Sequence, residues 1–218
     1  MKHVHDYLNQ HIRNQSIIGM GSGSTIEAYI PEAAEYIRQH DLDVTFVPTS
    51  GRTEKILNEY RLTTSLEIKN INLTIDGADH FTPSLTAIKG YGGALLREKQ
   101  IGYFSKEIII IAKEDKKTDS FEGLKIPVEI NPFLFELTKI QIEELGEVMI
   151  TDRTDGEAFF ITDNGNYIAD CSFDSITAIS SLHNNIINLP GVVETGIFDR
   201  YISKIISFND SDFIIYDK

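Results

Sequence analysis

A glutamate lies close to cations and glycines in the segment KGYGGALLREK, which runs from residue 89 to residue 99. The segment contains Lys89, Gly90, Tyr91, Gly92 and Glu98. A carboxylate can take a proton from carbon and return it, while a lysine and backbone N–H groups can stabilise negative charge on oxygen. By composition alone, a solvated glutamate that pairs with nearby lysines is the commoner arrangement. The segment therefore indicates either proton transfer or an exposed ion pair.

Two aspartates follow an apolar stretch at residues 71–75. Asp76 and Asp79 enclose Gly77 and Ala78. At the carboxyl end of a strand in an α/β sheet, such side chains face the ligand, where they could bind sugar hydroxyls or exchange protons with them. Aspartates also begin turns for purely local reasons, which is the alternative interpretation of this pair.

A glycine-rich turn, GMGSGST, occupies residues 19–25 and contains Ser22, Gly23, Ser24 and Thr25. Between a strand and a helix, such a turn lets backbone N–H groups approach a phosphate. The dinucleotide fingerprint does not fit, because its sixth position lacks glycine, and the nucleotide P-loop does not fit, because the chain has no Gly-Lys pair. A tight turn with a helix cap is the structural alternative.

These segments lie between elements that alternate in type. Apolar runs predict strands at residues 16–20, 43–47, 71–75 and 107–112. Helical spacing predicts helices at residues 4–12, 26–37, 50–60 and 93–106, with a kink at Pro31 near Glu27. The pattern predicts an α/β fold with a doubly wound, mostly parallel sheet, whose ligands bind beyond the carboxyl ends of the strands.

The pattern changes after about residue 124. It predicts a strand at residues 126–130, helices at residues 132–145 and 172–183, and a hairpin with a type I′ turn at Asn164-Gly165. A C-terminal strand within residues 211–218 fits either sheet. We therefore expect a catalytic domain at residues 1–124, joined by residues 202–218, and a smaller α+β domain at residues 125–201.

Composition excludes several classes of protein. The formal net charge of −13 opposes nucleic-acid binding, and an anionic substrate would need locally concentrated cations. No apolar run approaches the roughly 18 residues of a membrane span, and the first residues lack a signal-peptide stretch. Cys171 is the only cysteine, which suits the cytoplasm, and the histidines form no metal-binding pattern.

Seven blocks, in this order, resemble the signature blocks of the ribose-5-phosphate isomerase type A family: GMGSGST, VPTS, TIDGADH, IKGYGGALLREK, IPVEINPF, ITDNGNYIADCSF and LPGVVETGIF. They lie between residues 19 and 198. The resemblance implies a Rossmann-like sheet, a smaller α+β domain and a substrate cleft between them. It also implies interconversion of ribose 5-phosphate and ribulose 5-phosphate, no metal or organic cofactor, and a homodimer or homotetramer.

The resemblance gives each matching residue a role. Glu98 matches the proton acceptor, Asp79 is favoured for opening the furanose ring, Asp76 positions hydroxyls and Lys89 stabilises the enediolate. The residues that match substrate contacts are Ser22, Gly23, Ser24, Thr25, Asp76, Gly77, Ala78, Asp79, Lys89, Gly90, Tyr91, Gly92 and Lys116.

The sequence departs from the family pattern in three places. Ser22 replaces a threonine and keeps the hydroxyl, His80 replaces a glutamate, and Tyr91 replaces a glycine at a position that could require positive φ.

Two other functions remain open. One is a sugar-phosphate sensor without turnover, and the other is an isomerase or transferase for a different phosphosugar or acyl substrate.

Overall fold

A computed structural model describes residues 2–218 of the chain. The helices are α1 (Lys2–Asn9), α2 (Ser24–Gln39), α3 (Gly51–Glu59), α4 (Leu95–Tyr103), α5 (Phe135–Glu143) and α6 (Ile179–Ile187). The first strands are β1 (Ser16–Met20), β2 (Val44–Pro48), β3 (Thr63–Thr64), β4 (Leu73–Gly77), β5 (His80–Thr82), β6 (Thr86–Ile88), β7 (Ile108–Lys113) and β8 (Ile126–Ile130). The remaining strands are β9 (Val148–Asp152), β10 (Thr154–Asp155), β11 (Ala158–Phe159), β12 (Tyr167–Phe173), β13 (Val192–Thr195), β14 (Ile197–Phe198), β15 (Lys204–Phe208) and β16 (Phe213–Asp217).

The largest sheet has seven strands in the order β16-β15-β7-β4-β1-β2-β3. Its neighbours pair in parallel except β15 and β16, which are antiparallel. The run IIIIA in β7 is buried on both faces, as expected for a parallel sheet covered by helices. The predicted mostly parallel, Rossmann-like sheet is confirmed, and the C-terminal strand belongs to this sheet.

The strand order reverses at β1 and β4. From β1 the chain continues to β2 and β3 on one side, whereas β4 leads to β7 and β15 on the other. Ligands of open α/β sheets bind in the crevice beyond such a reversal, because the flanking loops diverge there. The turn after Met20 and the loop after Gly77 both begin at this point.

A smaller antiparallel sheet has the order β13-β8-β12-β9. Its core contains Val128, Ile130, Cys171 and residues of α5 and α6, which supports the predicted α+β character of this part of the chain. A third sheet, β14-β6-β5, pairs Ile197 with Ile88 and so joins distant parts of the sequence. The exact division of the chain into domains stays a prediction.

Two predicted element boundaries need correction. The strand predicted at residues 71–75 is β4, Leu73–Gly77, so Asp76 lies inside the strand and not after it. The helix predicted at residues 172–183 begins only at Ile179, because β12 continues to Phe173 between β8 and β9. Helix α2 is continuous through Pro31, and the predicted kink there stays a prediction.

The turn at Asn164-Gly165 is not type I′. A type I′ turn needs positive φ at both central residues, whereas only Gly165, with φ of 79°, has it. The Asn164 side chain donates to Oε1 of the buried Glu129, at 3.2 Å, and the side chains of Thr162 and Asn166 donate to the same oxygen. This carboxylate holds the turn in a different conformation.

None of the helices in the described part of the chain has the length and apolar character that crossing a membrane would require.

Candidate active site

Three loops meet beside the point where the strand order reverses. They are the turn after β1, the loop after β4 and the segment from Lys89 to Gly93 that leads into α4. They enclose a cavity of about 100 Å³. The residues that line it are Ser22, Gly23, Ser24, Thr25, Gly77, Ala78, Asp79, Lys89, Gly90, Gly92, Glu98 and Lys116.

One buried lysine lies between two buried carboxylates at the base of this cavity. Lys89 Nζ is 3.0 Å from Asp76 Oδ2 and 3.2 Å from Glu98 Oε2. The same nitrogen donates to the carbonyl oxygen of Gly77 at 2.5 Å. Residue exposure is 2% for Lys89, 1% for Asp76 and 4% for Glu98, so water screens these charges little.

Burial and charge shift the pKa values of this group. Burial raises the pKa of Asp76 to about 7, and the charge of Glu98 adds to the rise, while Lys89 opposes it. Burial alone would lower the pKa of Lys89, but the charges of Asp76 and Glu98 outweigh this effect and raise it. Lys89 therefore stays protonated, and Asp76 can exchange a proton near neutral pH.

Glu98 projects from the first turn of α4 into the cavity. Its Oε1 accepts a hydrogen bond from Ser22 Oγ at 2.6 Å. Its Oε2 lies near Lys89 but accepts no hydrogen bond from any residue that the structure describes. The carboxylate is thus oriented by one oxygen, while the other keeps a free lone pair for a proton.

Asp79 lies in the loop after β4 and lines the cavity. Its Oδ2 accepts a hydrogen bond from the backbone N–H of Tyr91 at 2.9 Å. Burial raises the pKa of Asp79, and the Tyr91 N–H and Lys89 act against this rise. A carboxyl group with a raised pKa, held beside a cavity, is suited to exchange protons with a hydroxyl group.

The cavity is also lined by the first turn of α2 and by Lys116. Gly23 precedes α2 with φ of 90°, a conformation that glycine adopts without strain, and the helix presents its N-terminus and the hydroxyl residues Ser24 and Thr25 there. Lys116 Nζ donates to the carbonyl oxygen of Ala78 at 2.6 Å, and burial lowers the pKa of Lys116. These groups can bind an anion.

Two of the predicted substrate contacts do not line the cavity. Asp76 lies behind Lys89, and the Tyr91 side chain is 38% exposed, with its hydroxyl donating to the carbonyl oxygen of Lys125. Tyr91 also does not have positive φ, which instead occurs at Gly90 and Gly93. The strain expected at Tyr91 is therefore absent, because the neighbouring glycines make the turn.

Sequence reasoning missed residues that support the loop from the smaller sheet. Arg153 Nη1 donates to the carbonyl oxygen of Gly90 at 2.6 Å and to that of Tyr91 at 3.2 Å. Its Nε donates to Asp170 Oδ2 at 3.1 Å, and its Nη2 pairs with the other carboxylate oxygen. No local signal in the sequence connects these residues, because the contact depends on the packing of two sheets.

No group of three or more histidine, cysteine, aspartate or glutamate side chains among residues 2–218 is arranged to hold a metal ion. Among the charged side chains that line the cavity, Lys89 and Glu98 form an ion pair.

The family model for ribose 5-phosphate isomerase A (phosphoriboisomerase A) matches residues 45–212. Among curated relatives, ribose-5-phosphate isomerase A of Picrophilus torridus is 39% identical over 194 residues, covering 89% of this chain and 86% of the relative. Ribose-5-phosphate isomerase A of Staphylococcus epidermidis is 38% identical over 206 residues, covering 93% and 89%.

Solved structures agree with these relatives. Ribose 5-phosphate isomerase from Plasmodium falciparum superposes with a TM-score of 0.94 at 30% identity, covering 100% of this chain and 97% of the other. A D-ribose-5-phosphate isomerase in complex with phospho-erythronic acid superposes with a TM-score of 0.93 at 27% identity, covering 98% and 96%.

Proposed function

The chain belongs to the ribose-5-phosphate isomerase A family, and we propose that it interconverts ribose 5-phosphate and ribulose 5-phosphate with Glu98 as the base. One observation carries this proposal: Glu98 lines the cavity with Oε1 fixed by Ser22, while Oε2 has only its ion pair with Lys89 and accepts no hydrogen bond from a described residue. A base must present a free lone pair in a fixed direction to take a proton from carbon.

Ring opening comes first in the proposed reaction. Asp79 lines the cavity, and burial raises its pKa, which supports a carboxyl group that moves a proton between the anomeric hydroxyl and the ring oxygen. Asp76 lies behind Lys89 and is 1% exposed. Its position supports a different role from the expected contact with sugar hydroxyls, namely holding the lysine ammonium group in place.

Proton transfer follows on the open chain. Glu98 takes the proton from C2, and the electrons of that C–H bond form the C1–C2 double bond of the enediolate while the carbonyl electrons move to O1. The proton of the C2 hydroxyl passes to O1, the C2 carbonyl forms, and Glu98 returns its proton to C1. Lys89 Nζ is 3.2 Å from Glu98 Oε2, which supports its role beside the developing oxyanion. The N–H groups of Tyr91 and Gly93 are used within the protein, which leaves those of Gly90 and Gly92 as further donors.

The phosphate binds at the other end of the cavity in this proposal. Ser24 and Thr25 stand in the first turn of α2, and Lys116 approaches from the loop after β7. Binding energy from the phosphate would position the reacting carbons against Glu98. This local cluster can attract the anionic substrate despite the net charge of −13, because its cations and N–H groups act at short range.

Replacing Glu98 by Gln tests the base. The amide keeps the shape and the contact with Ser22 but cannot take a proton, so we expect kcat to fall by about 10²–10⁴-fold with KM changed little. Glu54→Gln on the exposed face of α3 is the matched control and should keep wild-type kcat.

The measurement is a coupled assay of ribulose 5-phosphate formation. Equal kcat for wild type and Glu98→Gln would refute the role of Glu98. Tight binding of ribose 5-phosphate by wild type without turnover would instead favour a sensor, and turnover of another phosphosugar only would favour a related isomerase.

Assembly and location extend the proposal. We propose a homodimer formed through an exposed apolar surface, here called the α5 surface and defined as Phe133, Leu134, Leu137 and Ile140. These side chains are 47–78% exposed, although each is large and apolar.

We also propose the cytoplasm as the compartment, supported by the family's metabolic role and by the single, buried Cys171.

A further inference from the structure

Phe198 contacts Lys89 from outside the active-site cavity. The Nζ atom of Lys89 lies over the Phe198 ring, 5.4 Å from the ring centroid, and both side chains are buried. Phe198 does not line the cavity that Lys89 and Glu98 line. An effect of the ring on the reaction would therefore have to pass through another residue.

The pairing of two strands fixes this contact. Strand β14 pairs with β6 in antiparallel register, with Phe198 opposite Ala87. The backbone N–H of Lys89 continues the ladder, because it donates to the carbonyl oxygen of Gly196 at 2.9 Å. Since side chains alternate between the two faces of a sheet, Phe198 and Lys89 are diagonal neighbours on the same face.

Gly196 leaves the space that this arrangement needs. A Cβ atom at this position would lie 2.2 Å from the carbonyl oxygen of Lys89 and 2.8 Å from Pro127 Cδ. Any larger residue would push the backbone of Lys89 away from β14, as is typical where glycine allows two backbones to approach closely. The position of the lysine relative to the ring is thus built into the backbone.

The ring gives the Lys89 ammonium group a contact that uses no oxygen acceptor. Oxygens of Asp76, Glu98 and Gly77 lie 2.5–3.2 Å from Nζ, and an ammonium group has only three N–H donors. A ring face attracts a cation through its negative quadrupole, and this attraction is stronger where water is excluded. The ring can therefore hold the ammonium group without adding a competitor to the enediolate oxygen.

We propose that Phe198 is a positioning residue for the isomerase reaction, and that its ring face holds the Lys89 ammonium group where the enediolate oxygen develops. This inference rests on the proposed function, which gives Lys89 its part in the reaction. Because the attraction is electrostatic, the electron density of the ring should affect the rate at nearly constant ring shape.

A second lysine contacts the same ring and has to be separated from Lys89. Lys99 Nζ lies 4.9 Å from the Phe198 ring centroid. It donates to Glu194 Oε1 and to the carbonyl oxygen of Thr195, both at 2.7 Å, and it does not line the active-site cavity. The variant Lys99→Gln/Glu194→Gln removes this ion pair as a unit, so that neither partner is left as a buried unpaired charge.

Stepwise fluorination of the ring tests the electrostatic contact. Phenylalanine bearing one, two or three ring fluorines, incorporated at position 198, withdraws electron density from the ring face with little change of shape. We expect kcat for ribose 5-phosphate to fall with each added fluorine, by about tenfold for the trifluoro ring, with KM changed little. The same fall should occur in Lys99→Gln/Glu194→Gln.

Phe81 provides the matched control. It lies in the same core cluster as Phe198, and its ring packs against that of Tyr216, with centroids 6.0 Å apart. The trifluoro ring at position 81 should leave kcat unchanged. A constant kcat across the Phe198 series, or a fall that disappears in Lys99→Gln/Glu194→Gln, would contradict the proposal.

Urea denaturation provides a readout that needs no turnover. The trifluoro ring at position 198 should lower the urea midpoint of the wild-type protein more than that of Lys89→Met/Asp76→Asn, which lacks the ammonium group and one carboxylate. An equal decrease in both would show that the ring does not hold Lys89 and would overturn the proposal. If wild type leaves ribose 5-phosphate unconverted, the proposed function fails, and the urea midpoints alone decide whether Phe198 holds Lys89.

Discussion

Two carboxylates and one ammonium group are buried together beneath the active-site cavity, and this arrangement carries an excess negative charge. Lys89 is within 3.2 Å of both Asp76 and Glu98, yet it can neutralise only one of them. Burial raises the pKa of Asp76 to about 7, and the charge of Glu98 adds to this rise. Asp76 can therefore carry a proton that reduces the excess negative charge.

The raised pKa predicts a pH dependence of stability. Folded Asp76 binds its proton more tightly than the unfolded residue, whose pKa is about 3.9, so unfolding releases a proton between about pH 4 and pH 7 and stability falls as pH rises through that range. Asp76→Asn removes this contribution. We expect its free energy of unfolding, relative to wild type, to improve from about pH 5 to about pH 8.

Urea denaturation at the two pH values measures this difference. Asp119→Asn, at an exposed position, is the control, and its difference from wild type should not change with pH. A constant difference between Asp76→Asn and wild type at both pH values would mean that Asp76 titrates in its ordinary range.

At the scale of elements, the three loops of the cavity could be predicted from the local sequence, but the residues that support those loops could not. Glycines and hydroxyl residues after β1, aspartates around the end of β4 and the segment before α4 were all visible as motifs. Arg153 was not, because it reaches the carbonyl oxygens of Gly90 and Tyr91 only after β9 and β12 have paired.

The wrong secondary-structure predictions have the same origin. Residues 172–183 have helical spacing, but pairing on both sides of β12 extends the strand to Phe173. Asn164-Gly165 favours a type I′ turn locally, but three donors converge on the buried Glu129 and select another turn. In both cases a long-range contact outweighs a local preference.

We predict that Arg153 affects the reaction rate through the loop of Gly90 and Tyr91 that it holds in place. Arg153→Leu removes the donor to Gly90 and Tyr91, so the N–H groups beside the cavity lose their position, and we expect kcat/KM to fall by about 10–100-fold. The variant also leaves Asp170, which is 8% exposed, as a buried unpaired carboxylate and should be less stable.

The double variant Arg153→Leu/Asp170→Asn separates the two effects. It should recover stability in urea titrations while the kinetic defect persists, whereas Asp170→Asn alone should keep most of the activity. Recovery of kcat/KM in the double variant would show that Arg153 acts through stability alone.

At the scale of the whole molecule, the active-site cavity and the proposed dimer surface are separate. The active-site cavity lies beside the large sheet, while the α5 surface lies on the smaller α+β part, and none of its residues lines that cavity. Leu137 and Ile140 are close to one turn apart on α5, on the face opposite the buried Phe135, Thr138 and Ile142. An apolar stripe on the outer face of a helix is suited to a second copy of the same chain.

Leu137→Asp/Ile140→Asp tests the α5 surface. Each buried aliphatic side chain contributes about 1.5–3 kcal/mol, so placing two carboxylates there should weaken dimerisation by at least about 100-fold. Sedimentation velocity at about 10 μM should show a wild-type dimer and a variant monomer, while Asn58→Asp, at an exposed position of α3, remains dimeric. The monomer should keep isomerase activity, because its cavity is unchanged. A wild-type monomer, or a double variant that still dimerises, would exclude this surface.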